Sequence, residues 1–340
     1  MAGIPSASKR FKAGIQSAKG TTPTLFVCAM MQMSGMLPER DAIDMGVEHG
    51  CSGASTNYAT AHKTSTEFSS LLINGRFRGA VYPSVLPIWL HMVGHNVAAT
   101  AKTGYTEHVA TLATRAQYGW GAILDSIGDL STLNKDARLR QFGIEMSKAG
   151  LINSGEIVGL SQTDTVGTPT VENEDLFKLL PSKGTFTLAT LAGSPLNLVT
   201  DLPRSASIQV ANPLDTDTEA LTSFGRTDLP QQGIDITGQV RGCSLSAAAY
   251  KAAYDWTSNK PGTNSLLAEL TMLFQSAANI NGAAVPYSLK IEVPKVEITL
   301  PAFDAEGNNQ VFFDYNWRMV ADSTTPITWT IANLIEDYTP

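Results

Sequence analysis

The chain has 340 residues, 43% apolar and 16% charged, with a formal net charge of −7. This composition excludes an intrinsically disordered chain, and the length suits one large domain or two ordinary ones. The first twenty residues hold Lys9, Arg10, Lys12 and Lys19 and no acid, so the other 320 carry −11, an acidic body poorly suited to gripping nucleic-acid phosphates.

Residues 1–22 are basic and Ser-rich, and read as a flexible arm with no core of its own rather than as a transit peptide. Lys9, Arg10, Phe11 and Lys12 are its candidate contacts with a neighbouring subunit. The most apolar stretch, "LFVCAMMQMSGML" (25–37), is too short to span a bilayer and is interrupted by Gln32, Ser34 and Gly35. No secretory signal and no membrane insertion are expected. Residues 38–70 hold neither a period of two nor one of 3.6, and read as a long interaction loop.

"LLINGRFRGAVYPSVLPIWLHMV" (71–93) opens as a strand and becomes a helix over 81–93, where Pro87 is tolerated only in the first turn. "EHVATLAT" (107–114) alternates weakly. "RQFGIEMSKAGL" (140–151) sets Phe142, Ile144 and Met146 on one face and Glu145 and Ser147 on the other, and "SGEIVGLSQTD" (154–164) returns. The second half follows the same order: a strand at 233–244, an Ala-rich helix at 246–257, and a strand or helix at 266–277. In "YSLKIEVPKVEITL" (287–300), Leu289, Ile291 and Val293 share a face opposite Lys290 and Glu292. After Pro294 the alternation resumes, with Val296, Ile298 and Leu300 inward and Glu297 outward. "DAEGNN" (304–309) is turn chemistry, "QVFFDYNWRMV" (310–320) returns with Val311, Phe313, Tyr315, Trp317 and Met319 on one face, and "ITWTIAN" (327–333) closes the series.

Two short matches recur in order. Ile73-Asn-Gly-Arg-Phe-Arg-Gly79 and Ile236-Thr-Gly-Gln-Val-Arg-Gly242 share the form I-x-G-x-x-R-G, and "FGIEMSK" (142–148) matches "LKIEVPK" (289–295), aligning Glu145 with Glu292. They point to an internal duplication.

Catalytic and metal-binding patterns are absent from the sequence. His91 and His95 in "HMVGH" have helical spacing, but Met92 stands where a zinc hydrolase needs Glu. His49 and His62, with Cys51 between, lack ligand spacing, and "DTDTEA" (215–220) lacks the Gly and the final acid of a calcium loop. Cys28, Cys51 and Cys243 form no CxxC pair and no disulfide framework. No G-x-S-x-G, P-loop or G-x-G-x-x-G occurs. The aromatics Phe312, Phe313, Tyr315 and Trp317 have the spacing of a packed strand or an intersubunit seam rather than of a base-stacking platform. Neither an enzyme nor a cofactor is expected.

The ending "IEVPKVEITLPAFDAEGNNQVFFDYNWRMVADSTTPITWTIAN", the run from "INGRFRG" through "GYTEHVATLA" to "FGIEMSKAG", and "SFGRTDLPQQGIDITGQVRG" resemble the major tail tube proteins of long, non-contractile-tailed bacteriophages. The resemblance covers about residues 25–335 as an order of elements rather than as a strict motif. It implies a mainly β fold of tail-tube-type sandwich or barrel units, each with one flanking helix: an arm at 1–22, a first unit at 23–170 and a second at 171–340. It also implies a virion protein, assembled in the bacterial cytoplasm, whose subunits close into rings that stack into a tube. The partners would be further copies of the chain (three duplicated chains with pseudo-six-fold symmetry, or six), other tail proteins, and double-stranded DNA in passage. A bore that lets DNA slide should be acidic or neutral, and Glu145, Glu292 and Glu297 are its candidate lining. Another virion ring protein (tail terminator, baseplate or head decoration) and a two-domain β-rich carbohydrate binder or hydrolase are the alternatives.

Overall fold

A computed structural model describes residues 9–29, 31–33, 37–39, 42–44, 47–48, 62–63, 66–68, 72–112, 119–127, 130–163, 170–172, 178–190, 203–216, 219–220, 223–226, 228–243, 267–299, 313–320 and 326–338. The helix expected at 246–257 and the turn at 304–309 lie outside these residues, as does most of the loop 38–70.

The fold is mainly β. In chain order come β1 (Lys9–Gln16), β2 (Leu25–Ala29), β3 (Met31–Met33), β4 (Leu37–Glu39), β5 (Ala42–Asp44), β6 (Val47–Glu48), β7 (His62–Lys63), β8 (Thr66–Phe68) and β9 (Leu72–Ala80). The helix α1 (Leu86–Met92) follows, then β10 (His95–Lys102), β11 (Tyr105–Leu112), β12 (Trp120–Ile127), β13 (Leu130–Ser147), β14 (Gly150–Thr163) and β15 (Thr170–Glu172). The remainder is β16 (Leu180–Thr190), β17 (Ser205–Ala211), β18 (Glu219–Ala220), β19 (Ser223–Arg226), β20 (Asp235–Cys243), β21 (Leu267–Asn279), β22 (Pro286–Thr299), β23 (Phe313–Met319) and β24 (Thr328–Asn333). The segment 266–277, ambiguous by pattern, is the strand β21. Its alternating burial fits a sheet with one covered face.

Among the described residues, eighteen strands hydrogen-bond into one large sheet system that does not close into a barrel. The 18-residue β13 and the 14-residue β22 organise it, because each changes partner along its length. β13 pairs with β12 near its start and with β17 near its end, while β14 runs along its other side. β22 pairs with β24 over Ser288–Glu292 and with β23 over Val296–Thr299, while β21 runs along its other side. Register shifts in β13 beside Leu139 and in β22 beside Pro294 mark bulges, which bend a strand enough to serve two partners.

Most of the inward residues merge into one large apolar cluster that runs from Phe11 to Tyr338, with smaller clusters around Phe26, Trp120 and Tyr287. It draws on both expected units, which are also joined by the pairs β13–β17 and β11–β24. α1 plugs this core. Leu86, Ile88, Trp89, Leu90 and Met92 are buried, and Trp89 stacks on Phe77 with ring centroids 4.5 Å apart. The helix is shorter than the expected 81–93, and Pro87 occupies its first turn as its geometry requires.

The expectation of an arm without a core is corrected for residues 9–16. They form β1, paired along its full length with β12 and at Phe11–Ala13 with β2. Phe11, Ala13 and Ile15 are buried. The cluster of positive charge hid a period-two apolar pattern. The chain beyond β1 is also pinned: Asp136, in the left-handed region at φ 54°, accepts bonds from Gln16 Nε2 (3.0 Å) and the Gly20 amide (2.6 Å), and Gln16 Oε1 accepts from the Asp136 amide (2.9 Å). Asp is among the few side chains that tolerate that conformation.

Two antiparallel series share one order. β1–β12–β13–β14–β9 is matched by β16–β21–β22–β23–β20, and the two I-x-G-x-x-R-G copies are β9 and β20, the last member of each. The matched heptapeptides differ locally. Glu145 stands opposite Ile152 and Ser207, and Glu292 opposite Thr271 and Thr328, so one lies near a hairpin end and the other in mid-strand.

Candidate functional site

The strands β9–β14–β13–β17–β20–β23–β22–β21–β16 run side by side, every neighbouring pair antiparallel. One side of this sheet carries Phe77, Ile144, Ile208, Val240, Trp317 and Ile298 into the core. By the alternation of the pleat, the other side is polar and meets water. It presents Ser154, Ser207, Gln209, Thr237, Gln239, Asn316 and Thr299 among charged side chains.

Those charges are matched. Arg76 on β9 lies 2.8 Å from Glu156 on β14, directly opposite in register. Arg78 reaches over β14 to Glu145 on β13 at 2.9 Å, with only Ser154 and Gly143 along that line of the sheet. Arg318 on β23 binds Asp235 on β20 at 2.9 Å, and Arg241 lies 4.0 Å from Asp314 while donating from Nε to Gln239 at 2.7 Å. All eight side chains are substantially exposed to water. Such pairs add at most about 1 kcal/mol each to stability. Their larger effect is to cancel the field of four arginines across an open surface.

The expected lining acids all face away from the core. Glu145 is paired with Arg78, and Glu292 with Lys290 of its own strand at 2.6 Å. Glu297 stands opposite Arg318 and borders a shallow depression of about 440 Å³ with Ser207, Gln209, Gln239, Asn316 and Trp317. The structure therefore brings Glu145 and Glu297 onto one polar face and sets both among arginines that sequence reasoning passed over. Arg78 and Arg241 were visible as the repeated Arg of I-x-G-x-x-R-G, but their carboxylate partners come from strands distant in sequence. Of the expected arm contacts, Phe11 belongs to the core, Lys12 is half-buried, and Lys9 and Arg10 lie within β1.

The remaining sequence candidates resolve into packing. His95 is buried, its Nε2 accepts the Trp329 Nε1–H at 3.1 Å, and burial holds its pKa down to about 3. His91, in the last turn of α1, is lowered to about 4 by burial and then by the Arg138 charge. Tyr315 and Trp317 are core side chains. Among the described residues, no three His, Cys, Asp or Glu side chains gather as metal ligands, and no helix is long and apolar enough to cross a membrane.

A second polar cluster was not foreseen. His108, Asn333 and Tyr338 are buried together at the C-terminal end. His108 Nε2 meets Asn333 Oδ1 at 3.0 Å and the Ile335 carbonyl at 2.9 Å. Asn333 Nδ2 donates to the Pro83 carbonyl at 3.0 Å and to the Tyr338 hydroxyl at 2.8 Å, and the Tyr338 hydroxyl donates to the Ser84 carbonyl at 2.5 Å. Both acceptors at Nε2 fix the proton there. Burial lowers the His108 pKa, opposed by these bonds and by the Asp337 charge. The cluster fastens residues 334–338 over the entry to α1. Its hub is Asn333, the last residue of β24.

No protein-family model matches the chain, and no curated protein matches its sequence.

Proposed function

We propose that the chain is a structural subunit that polymerises through its sheet edges into stacked rings, forming the tail tube through which a bacteriophage genome passes. The observation that carries this reading is the broad polar face in which four arginines lie against carboxylates. Duplex DNA bears about one negative charge per 1.7 Å of its axis. A surface along which it slides must not hold it, and a water-facing sheet of Ser, Thr, Gln and Asn with cancelled charges meets that requirement.

The sheet edges favour self-association. Among the described residues β10 pairs only with β11, and β16 only with β21. β10 is exposed along Ala98–Lys102 and has no charge before Lys102. Such an edge offers unpaired backbone groups to another chain, and closure of subunits into a ring removes it. The shared order of the two strand series suits a duplicated chain, three copies of which would close a ring of pseudo-six-fold symmetry.

Sedimentation of the purified full-length protein with negative-stain imaging tests the proposal. Polymers with a stain-filled centre are expected. A species that stays a single chain at all concentrations, or one that stops at single rings, contradicts it.

A further inference from the structure

A groove of about 770 Å³ opens at the end of the sandwich where β13, β16, β17 and β21 meet. Its floor is apolar, made by Met146, Ala206, Phe274, Phe186, Pro181 and Pro203. Its rim carries the exposed Lys148 and Arg204, and no acidic side chain is among the described residues that line it. On a chain of net charge −7, a basic rim around an apolar floor is a selective feature.

The complementary chemistry lies on the same chain. Leu334 is the exposed large hydrophobic side chain among the described residues, and Glu336 and Asp337 beside it are exposed as well. Ile335 and Tyr338 are buried, and the bonds around Asn333 hold this turn in place, so Leu334 and Glu336 are presented outward on a fixed support. The same anchoring keeps the turn from its own groove. Ala332 stands opposite Ser288, which stands opposite Gln275, so two strand spacings separate the turn from β21, beyond which the groove begins.

We propose that the groove receives the Leu334–Asp337 turn of a second copy of this chain, with Leu334 against Phe186 and Phe274, and Glu336 beside Lys148. The contact is heterologous, since groove and turn are different surfaces, and heterologous contacts propagate into rings or filaments. The inference rests on the self-assembly reading and names one of its interfaces.

The test uses full-length protein. Leu334→Ser, folded as judged by an unchanged melting curve because Leu334 is exposed, is expected to raise the concentration at which polymers form. Glu336→Lys and Lys148→Glu are each expected to raise it about two- to fivefold, the range an exposed ion pair supports, and the double variant to restore it. In polymers mixed from heavy- and light-isotope copies, a benzoylphenylalanine placed at position 334 is expected to capture peptides spanning 181–186 or 203–206 of the other copy. Wild-type polymers with a Leu334→Ser variant that assembles equally well, or with capture at any other surface, overturn this contact and leave the assembly reading standing. Wild-type protein that forms no polymer overturns both.

Discussion

Arg78 Nη2 lies 2.9 Å from Glu145 Oε2, joining β9 to β13 across the intervening β14. Glu145 is thus not a bare acid on a water-facing surface but half of an ion pair whose other half is the Arg of the first I-x-G-x-x-R-G copy. Both side chains are more than half exposed, so the pair matters less for stability than for the potential of the face.

Removing the carboxylates should therefore unmask the arginines. Glu145→Gln with Glu156→Gln removes the carboxylates that lie against Arg78 and Arg76. Stability should change by no more than about 1 kcal/mol. The variant should retain duplex DNA at low salt and release it as salt rises, by counterion release. Filter retention of labelled DNA across a salt series checks this, and wild-type retention throughout would contradict the role given to these pairs.

Acid should weaken the fold through its buried histidines. The His95 pKa is lowered to about 3, and that of His108 is lowered as well. In the unfolded chain both return to about 6.5. Above that value neither state binds the proton and nothing changes. Below it the unfolded chain takes up protons that the fold refuses, so stability falls with pH, and for His95 the loss continues to about pH 3. At pH 5, His95 alone should cost roughly 2 kcal/mol. Urea midpoints between pH 7.5 and 5 measure it. His95→Asn should be less stable at pH 7.5 yet lose less on acidification.

Asn333 makes the C-terminal cluster a unit. Asn333→Ala takes from the Pro83 carbonyl and the Ile335 amide the bonds that Asn333 makes to them, and removes one of the bonds at Tyr338 and at His108. A loss of about 3 kcal/mol is expected, as for buried groups left without partners. A denaturant midpoint within experimental error of wild type would show that the tail is not fastened there.

Deleting residues 1–16 should prevent folding, since it removes β1 from between β2 and β12 and takes Phe11 and Ile15 out of the core. Burial of each such side chain stabilises by about 2 kcal/mol. Circular dichroism and a melting curve of the truncated chain decide the point: a cooperative transition like that of the full chain would return β1 to the status of an appendage.

Much of the fold was legible because its strands obey the period of two. Phe142, Ile144 and Met146, then Leu289, Ile291 and Val293, are inward as their spacing requires, and the phase change after Pro294 coincides with a bulge. β1 was hidden because Lys9, Arg10 and Lys12 drew attention from Phe11, Ala13 and Ile15. The ion pairs of the polar face were not legible at all. Arg318 and Asp235 are 83 residues apart, and only the order of strands makes them neighbours. The His108–Asn333 hub was equally hidden, being a contact across 225 residues between two unremarkable polar positions.

The most direct test of the central claim is an electron cryo-microscopy reconstruction of the purified full-length protein. The account predicts stacked rings around an open bore, with Arg78, Glu145, Arg318 and Glu297 on the wall of that bore and β10 and β16 at subunit boundaries. Single chains that never associate, or a polymer in which the face carrying Arg78 and Glu145 forms the outer wall, would contradict it.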